Sequence, residues 1–558
     1  MRIRFLLALL IATLSPCLFA AAPAGKEAMA SYAEKLLADN FAKDGPGAAV
    51  LVARGDDVLY RGARGMASLE LSVPLSADQV FRLGSLTKQF SSAAVLHLID
   101  EGKLTLDDPL SKFVHDYPNG EKITVRMLLN HTSGVRDYTA IPGRMSWEIQ
   151  KDMTTAQLID SFKNEKPDFA PGTQWSYDNS GYVLVGAIIE SVTGMSWHAY
   201  LDQLFFKPLH LDHTGYGDET VAVIPGHVMG YTRNGDHWAV AHYLSMTQPH
   251  AAGSLVSSVD DLLRWNRALH GGKLLSKLRY TQMTTPAGAA ASAHYGFGIV
   301  RTTLHGQTVF AHSGGIFGFN TALLYFPDSR ISVAVLANFD DGPPKMSGAF
   351  ELAHMLAAYA IGKPYPAKRA IAMDAATLKS YEGVYRIDKN AVRVLRVVDG
   401  RLMSQRTGGA QHAMLPIAKD EFLFDEGLSR VRFERDATGK ISAMRLFPED
   451  EGDGERASRT KQPLPAQRIA IDLPKAAIER VVGEYRNDRM SLKLSLDGDK
   501  LVAQLNDQPK FQVLSQSPTL FFLKNVDVTL EFPPGDAAAA SVILHQAGQS
   551  LKFERVVR

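Results

Sequence analysis

A buried helix is predicted to open with Phe81-Arg82-Leu83-Gly84-Ser85-Leu86-Thr87-Lys88-Gln89-Phe90. Apolar residues recur there every fourth position, at Leu86, Phe90, Ala94 and Leu98. This period is typical of a helix packed into a core, and Gly102 is its predicted C-cap. Ser85 and Lys88, three positions apart, share one face of the first turn. The helix would therefore hold a hydroxyl and an amine side by side at its N-terminus.

This pair has the chemistry of a nucleophile with its base. A serine at a helix N-terminus lies among free backbone N–H groups, which can stabilise an oxyanion. A lysine in apolar surroundings loses hydration, which favours its neutral, proton-accepting form. The pattern alone is common, and a capping serine beside a solvated lysine is the alternative. A second match, Ser458 to Lys461, lies in a polar stretch and is interpreted as chance.

Length and composition restrict the class of protein. A chain of 558 residues is too long for one ordinary core and predicts several domains. It is 46% hydrophobic and 21% charged, with a net charge of +1. Because the chain has no excess of basic residues, its charge gives no indication of a nucleic-acid partner. No segment after the N-terminus reaches about 18 uninterrupted apolar residues, so no membrane span is expected.

The N-terminus predicts an export signal over residues 1–24. Basic residues in Met1–Arg4 precede the apolar run Phe5–Leu14 and a group of small residues. The only cysteine, Cys17, lies within this segment, so the mature chain would contain neither a disulfide nor a thiol nucleophile. The residues around Cys17 loosely resemble a bacterial lipoprotein box, but Pro16 departs from it. A secreted or periplasmic protein is therefore expected.

Residues 25–365 are predicted to form a mixed α+β domain. Strand patterns lie near its start, at Gly47–Arg54 and Val58–Gly62, and near its end, at Phe319–Phe326 and Ile331–Asn338. Helical patterns lie between them, and one of these is assigned to Ser254–Leu269. A sheet closed by the two ends of the domain is expected.

Two modules follow the boundary at Gly362–Pro366, over residues 374–470 and 471–558. Short strand and turn patterns replace helices there, and Tyr381–Arg386 recurs as Val481–Arg486. Each module is predicted to be a small antiparallel, lipocalin-like β-barrel. Neither contains a candidate nucleophile with a base, so both are interpreted as auxiliary.

Two further motifs accompany the Ser85 pair in the first domain. Tyr177-x-Asn179 lies in a loop rich in polar residues, and His312-Ser313-Gly314 ends a strand predicted over Thr308–His312. Both patterns also occur elsewhere, at Tyr117-x-Asn119 and His270-x-Gly272. The information therefore lies in their order, separation and structural context. His131, in the polar block before Gly134, is interpreted as a loop anchor.

In this order the three motifs resemble those of the penicillin-recognising serine hydrolases. That family includes class C β-lactamases, D-alanyl-D-alanine carboxypeptidases, D-aminopeptidases and related esterases. The resemblance covers about residues 28 to 360 and extends to Leu128–Gly134, Pro171-Gly172, Ala252–Ser257 and Tyr295–Gly298. It implies a β-lactamase/transpeptidase-like sheet-and-helix domain.

The resemblance implies that Ser85 is the acylated nucleophile. Lys88 and Tyr177 would titrate as a coupled pair, so either can be written as the base. The oxyanion donors would be the backbone N–H groups of Ser85 and Gly315.

The resemblance also implies a second set of residues that bind or orient the substrate. These are Asn179, His312 and Gly314. Asn179 would orient Lys88 or the substrate amide. His312 would stand at the pocket wall and hold the tyrosine or the far end of the substrate.

The third motif distinguishes members of the family. Class C β-lactamases have Lys-Thr-Gly there, and His312 removes a permanent positive charge that would pair with a carboxylate. D-aminopeptidases, some carboxypeptidases and esterases of the family have His-x-Gly there instead. The two predicted barrels resemble the arrangement in D-aminopeptidases, where a loop from a barrel shapes the substrate pocket. The resemblance therefore implies a D-aminopeptidase, a D-amino-acid amidase or a D,D-carboxypeptidase-like enzyme.

Other functions remain open at this point. A carboxyl-esterase or weak β-lactamase would use the same residues, and a penicillin- or peptidoglycan-binding sensor would use only acylation. The expected partner is a small peptide, amide or ester. No metal or organic cofactor is expected, and His210-x-x-His213 is interpreted as structural.

Overall fold

A mixed sheet-and-helix domain and two β-barrels make up the computed structural model, which describes residues 23–343, 346–450, 452–487, 490–506 and 510–556. The strands of the first domain are β1 (Ala48–Arg54), β2 (Asp57–Arg64), β3 (Met66–Ser68), β4 (Val73–Pro74), β5 (Phe81–Arg82), β6 (Gly215–Tyr216), β7 (Tyr231–Asn234), β8 (His237–Val240), β9 (Leu255–Ser257), β10 (Val300–Leu304), β11 (Gln307–Ile316), β12 (Phe319–Phe326) and β13 (Ile331–Ala337). Its helices are α1 (Lys26–Asn40), α2 (Thr87–Asp100), α3 (Val125–Leu129), α4 (Thr155–Asp160), α5 (Ser180–Thr193), α6 (Trp197–Leu201), α7 (His250–Gly253), α8 (Val259–His270), α9 (Lys277–Thr284) and α10 (Ala349–Ala360).

The central sheet is antiparallel and has the order β10-β11-β12-β13-β1-β2. Ala48 of β1 lies opposite Ala337 of β13, so the two ends of the domain close the sheet as predicted. Ala49 and Leu51 face the larger helical layer that contains α2 and α5, whereas Val50 faces α1 and α10. Burial on both faces explains why β1 has a continuous apolar sequence instead of an alternating one.

The predicted nucleophile helix is present, with a modified first turn. A 3₁₀ turn over Gly84–Leu86 carries Ser85 and leads directly into α2. Phe90 stacks on Trp265 with ring centroids 3.9 Å apart, which secures this end of the helix in the core. Gly102, with φ of 74°, follows the last turn, as expected of a C-cap glycine.

Two predicted elements differ from the structure. The helix assigned to Ser254–Leu269 begins only at Val259, because Leu255–Ser257 forms strand β9 between β5 and β6. Leu255 is held there by tertiary hydrogen bonds that its local sequence does not reveal. Its carbonyl accepts the Leu83 N–H at 2.8 Å, and its own N–H donates to Thr87 Oγ1 at 3.1 Å. Strand β11 is longer than predicted and continues past His312 to Ile316.

Two closed eight-stranded barrels follow the first domain. The first contains α11 (Ala375–Ser380), β14 (Gly383–Arg386), β15 (Val392–Val398), β16 (Arg401–Arg406), β17 (Gln411–Ala418), β18 (Glu421–Phe424), β19 (Arg430–Arg435), β20 (Ile441–Phe447) and β21 (Glu455–Arg459). The second contains α12 (Lys475–Glu479), β22 (Gly483–Arg486), β23 (Ser491–Asp497), β24 (Lys500–Leu505), β25 (Phe511–Ser515), β26 (Leu520–Leu523), β27 (Val528–Glu531), β28 (Ser541–Gln546) and β29 (Gln549–Arg555). The predicted fold class is thereby confirmed.

The sequence repeat marks the closure of each barrel. The phenol of Tyr385 donates to the Tyr381 carbonyl at 2.8 Å, and that of Tyr485 donates to the Val481 carbonyl at 2.9 Å. In each barrel an arginine of the last strand, Arg459 or Arg555, lies over this tyrosine ring. The repeated tyrosine is therefore a buried residue that packs where the first and last strands of each barrel meet.

The described residues include no helix that is long and apolar enough to span a membrane. The predicted export signal, with Cys17, lies outside the described residues except for its last two positions. Its cleavage and the compartment of the mature protein therefore stay predictions.

Candidate active site

The amine of Lys88 lies at the centre of a group of residues drawn from distant parts of the chain. Its Nζ is 3.2 Å from Ser85 Oγ and donates to Asn179 Oδ1 at 2.8 Å and to the Ala252 carbonyl at 2.9 Å. Ala252 belongs to α7, and its neighbour Ala251 accepts a hydrogen bond from Ser91 of α2 at 2.8 Å. The fold thus brings two of the three predicted motifs together.

Burial gives Lys88 the properties of a base. Its side chain is 0% exposed, and loss of hydration lowers its pKa from the ordinary value of 10.5 to about 7. The nearby carboxylates of Asp137 and Asp178 act in the opposite direction. A large fraction of the amine is therefore neutral at neutral pH and able to accept a proton from Ser85.

Tyr177 lies across from Lys88, with the Lys88 Nζ 4.8 Å from the centre of its ring. Burial raises the pKa of the Tyr177 phenol, and a hydrogen bond with Ser85 only partly offsets this effect. The phenol is thus protonated at neutral pH while the amine is largely neutral. For the two candidates that the sequence left open, this arrangement favours Lys88 as the initial proton acceptor and Tyr177 as a proton donor.

Asp137 is a half-buried carboxylate that the sequence did not single out. Its Oδ1 accepts the backbone N–H groups of Thr139 and Asn179, each at 3.2 Å, and its Oδ2 accepts the Thr139 hydroxyl at 2.6 Å. Asn179 also donates to Thr139 Oγ1 at 3.4 Å. Asp137 therefore fixes the residue that orients Lys88 and adds negative charge behind it. Its position three residues after the Leu128–Gly134 block was the available signal.

The glycines around Ser85 allow strand β11 to lie directly against the nucleophile turn. A Cβ atom on Gly314 would overlap the Leu83 carbonyl, and one on Gly84 would lie 3.0 Å from the Gly315 nitrogen. Gly84 also has φ of 57°, which favours glycine. No atom lies within 4 Å of the Cβ position of Gly315, so this residue faces open space. The predicted oxyanion donors, Ser85 and Gly315, thus border the same space.

His312 lies at the pocket wall, but the tyrosine that it contacts is Tyr295. Its Nδ1 donates to the Ser313 carbonyl at 2.7 Å, so its Nε2 accepts the Tyr295 hydroxyl at 2.8 Å. The ring of Tyr177 is farther away, with centroids 6.4 Å apart. Burial lowers the pKa of His312 to about 3, so the imidazole is neutral.

His131 is a structural anchor behind this wall, as the sequence suggested. Its Nδ1 accepts the Asp178 N–H at 3.2 Å, and its ring packs 4.4 Å from that of Tyr177 and 4.7 Å from that of Tyr295. Burial lowers its pKa well below the ordinary value. A neutral histidine therefore fixes the loop that carries Tyr177.

Two cavities meet at Ser85 and Gly315. The Asn179 cavity, of about 320 Å³, is lined largely by apolar side chains, including Met145, Ile149, Leu244, Ile316, Phe317 and Phe319. The Tyr177 cavity, of about 400 Å³, is also lined by Trp175, Tyr295, Val300 and His312. A nucleophile between two such cavities can receive a carbonyl carbon with one substituent on each side.

The first barrel reaches the neighbourhood of the Asn179 cavity. A further cavity of about 410 Å³ shares Asn320 and Asp340 with it and is bordered by Glu426 and Gly427. These two barrel residues lie in the loop between β18 and β19. The auxiliary module thus contributes to the surroundings of the candidate site.

Comparisons with known proteins agree with this arrangement. The beta-lactamase family matches residues 29–358. A penicillin-binding protein of Bacillus subtilis is 27% identical over 439 residues, which cover 74% of this chain and 94% of that protein. A D-aminopeptidase of Gluconobacter oxydans is 29% identical over 343 residues, which cover 60% of this chain and 63% of that protein.

A solved structure shows the same relationship. The D-stereospecific amidohydrolase of a Streptomyces species is 29% identical, with a TM-score of 0.50, and the match covers 58% of this chain and 96% of that one. The resemblance inferred from the three motifs is therefore confirmed. The chain belongs to the beta-lactamase family and is a serine hydrolase of that family.

Proposed function

We propose that this enzyme hydrolyses amides and peptides that carry a D-amino acid on the acyl side. The observation that carries the proposal is the neutral His312 at the third motif. Among the described residues that line the Asn179 and Tyr177 cavities, none is lysine or arginine. The carboxylate of a β-lactam, or the free C-terminus of a carboxypeptidase substrate, would therefore lack a cation to bind. Similarity to a D-aminopeptidase and a D-stereospecific amidohydrolase supports the D configuration.

The proposed reaction proceeds through an acyl-enzyme. The Ser85 oxygen forms a bond to the carbonyl carbon as its proton passes to Lys88, and the backbone N–H groups of Ser85 and Gly315 bind the oxyanion. The carbon–nitrogen bond then breaks as the amine takes a proton from Tyr177, which Lys88 reprotonates. A water molecule hydrolyses the ester, with the same groups transferring its proton.

The position of Tyr177 supports an assignment of the two cavities. The leaving amine must be protonated as it departs, so it belongs on the side of the phenol, in the Tyr177 cavity. The acyl group then occupies the Asn179 cavity. The apolar lining of that cavity suits a large apolar side chain, such as that of D-phenylalanine or D-leucine.

The test compares four kinds of substrate with the purified enzyme. We expect kcat/KM for D-phenylalanine p-nitroanilide to exceed the values for its L enantiomer and for nitrocefin by about 100-fold or more. A p-nitrophenyl ester serves as the control for active enzyme. Nitrocefin turnover equal to that of the best anilide would contradict the proposal, and turnover of the ester alone would identify an esterase.

Export also belongs to the proposal. The sequence pattern of residues 1–24 supports it, and N-terminal sequencing of the protein secreted or released from the periplasm would test it. A mature protein that begins at Met1 would contradict export by signal cleavage.

A further inference from the structure

One charged side chain borders the Asn179 cavity. Among the described residues that line this cavity, Asp340 alone carries a formal charge. Asp137 and Asp178 lie behind Lys88 and do not line the cavity, and Asp341 borders only the adjoining cavity. The lining of the proposed acyl pocket is thus largely apolar. Its polar groups are the carboxylate of Asp340 and the amide and hydroxyl groups of other lining residues.

Asp340 is held in place by the strand that carries the predicted oxyanion donor. Its Oδ2 accepts the Gly318 N–H at 2.7 Å, in the turn between β11 and β12, three residues after Gly315. Its own N–H donates to the Tyr231 carbonyl at 3.1 Å. Its side chain is therefore fixed to the turn that follows β11, and its backbone is fixed to β7.

Among the residues that the structure describes, the side-chain contact of this carboxylate is the hydrogen bond from Gly318, and no cation pairs with it. Its Oδ2 is engaged by Gly318, and a carboxylate has further acceptor positions on both oxygens. Asp340 is exposed, so its free acceptor positions are open to a ligand. An ammonium group is a compact cation with three donors and can form a charge-assisted hydrogen bond with such a carboxylate. The α-amine of an amino acid lies one carbon from the carbonyl that Ser85 would attack.

We propose that Asp340 binds the free α-ammonium group of the acyl residue. The inference rests on the proposed function and narrows it, because it makes the enzyme an aminopeptidase or amino-acid amidase that requires an unblocked N-terminus. An N-acylated residue would place a neutral group against the carboxylate.

The test measures a selectivity ratio in the full-length protein. This ratio is kcat/KM for D-phenylalanine p-nitroanilide divided by kcat/KM for 3-phenylpropionyl p-nitroanilide, which lacks only the amine. Asp340→Asn is the matched variant, because its amide oxygen can still accept the Gly318 N–H. We expect the ratio to fall about three- to fivefold, the range for an ion pair at an exposed carboxylate. Asp341→Asn, the control, should change the ratio less than about twofold.

The wild type supplies a readout that does not depend on the folding of a variant. Its ratio should fall as pH rises through the substrate's α-amine pKa, which is about 7.7 for an ordinary α-amine. A wild-type ratio that is unaffected by pH in this range would overturn the assignment. So would a folded Asp340→Asn variant, verified by circular dichroism, that keeps the wild-type ratio.

The outcomes separate the two levels of the proposal. If the wild type hydrolyses D-aminoacyl anilides and Asp340→Asn keeps its ratio, only the role of Asp340 is wrong. If the wild type hydrolyses p-nitrophenyl butyrate but no aminoacyl anilide, the proposed function is wrong. The proposed role of Asp340 in binding the α-ammonium group is then wrong as well.

Discussion

The protonation of Lys88 sets the pH below which the enzyme is expected to lose activity. Only the neutral amine accepts a proton from Ser85, and burial lowers the Lys88 pKa to about 7. For a substrate without an ionisable group, kcat/KM should therefore fall about tenfold for each pH unit well below 7. Asp178, whose pKa burial raises to about 7, titrates in the same range, so the apparent pKa belongs to the coupled groups.

Asp137→Asn should shift the low-pH fall of kcat/KM, the acid limb of the pH profile, to lower pH. The carboxylate of Asp137 stabilises the ammonium form of Lys88, so its removal makes the amine easier to deprotonate. Asn179 lies between the two groups, because its Oδ1 accepts from Lys88 and its N–H donates to Asp137. Burial raises the pKa of Asp137, so part of its charge is lost at low pH. At an effective dielectric constant of about 20, a charge at such a remove contributes on the order of 1–2 kcal/mol, or about 1 in pKa. An asparagine retains an oxygen for the N–H groups of Thr139 and Asn179 and places an amide against the Thr139 hydroxyl.

The assay is kcat/KM for p-nitrophenyl butyrate between pH 5 and 8.5. An ester without an amine is required, because the α-amine of an aminoacyl substrate titrates in the same range. His131, His312, Tyr177 and Tyr182 also lie near Lys88, and their displaced pKa values keep them neutral over most of this interval. Asp341→Asn is the control and should leave the limb in place. An unmoved limb, or one moved to higher pH, in a folded Asp137→Asn variant would refute this electrostatic account of Lys88.

Two further predictions follow from named contacts. Ser85→Ala should lower turnover about 1,000-fold or more and abolish the single fluorophosphonate adduct expected in intact-mass spectrometry. Ser458→Ala, the control, should change neither. An adduct on the Ser458 peptide would contradict the assignment of Ser85. Gly314→Ala should lower the free energy of unfolding, measured with urea, by about 2–4 kcal/mol, because its Cβ would overlap the Leu83 carbonyl. Gly315→Ala faces open space and should unfold within about 1 kcal/mol of the wild type, so equal losses in the two variants would contradict the packing described here.

Local patterns predicted much of the fold because they report local causes. The four-residue apolar period of α2 reflects a helix buried against the core, and the continuous apolar run of β1 reflects a strand covered on both sides. The repeated tyrosines predicted two copies of one module, since each closes its own barrel. Strand β9 escaped prediction because its hydrogen bonds come from Leu83 and Thr87, which lie about 170 residues earlier in the chain.

The candidate site was predictable as far as its motifs extend. Ser85, Lys88 and Asn179 come together as expected. The Ala252 carbonyl that accepts from the lysine is a backbone group, so the residue type at position 252 could not predict this contact. Asp137 and Asp340 are single carboxylates on loops, where an acidic residue is usually only solvated. The significance of Asp137 depends on its position near Lys88, and that of Asp340 depends on its exposure at the Asn179 cavity. Both are tertiary properties.

The two Ser-x-x-Lys sequences in this chain show why the motif acts only within its fold. Ser458 lies on barrel strand β21, is exposed and accepts a hydrogen bond from Arg456 at 2.9 Å, while Lys461 extends into solvent. Ser85 lies on a 3₁₀ turn, where a spacing of three residues places Lys88 beneath it, 3.2 Å away. Water keeps an exposed amine charged, whereas the core around α2 removes that water and leaves a neutral acceptor. The proposed nucleophile Ser85 therefore depends on the packing of α2 and α7 around Lys88. Any substitution that admits water beside Lys88 should raise the Lys88 pKa and slow acylation at neutral pH, even where no proposed catalytic residue is altered.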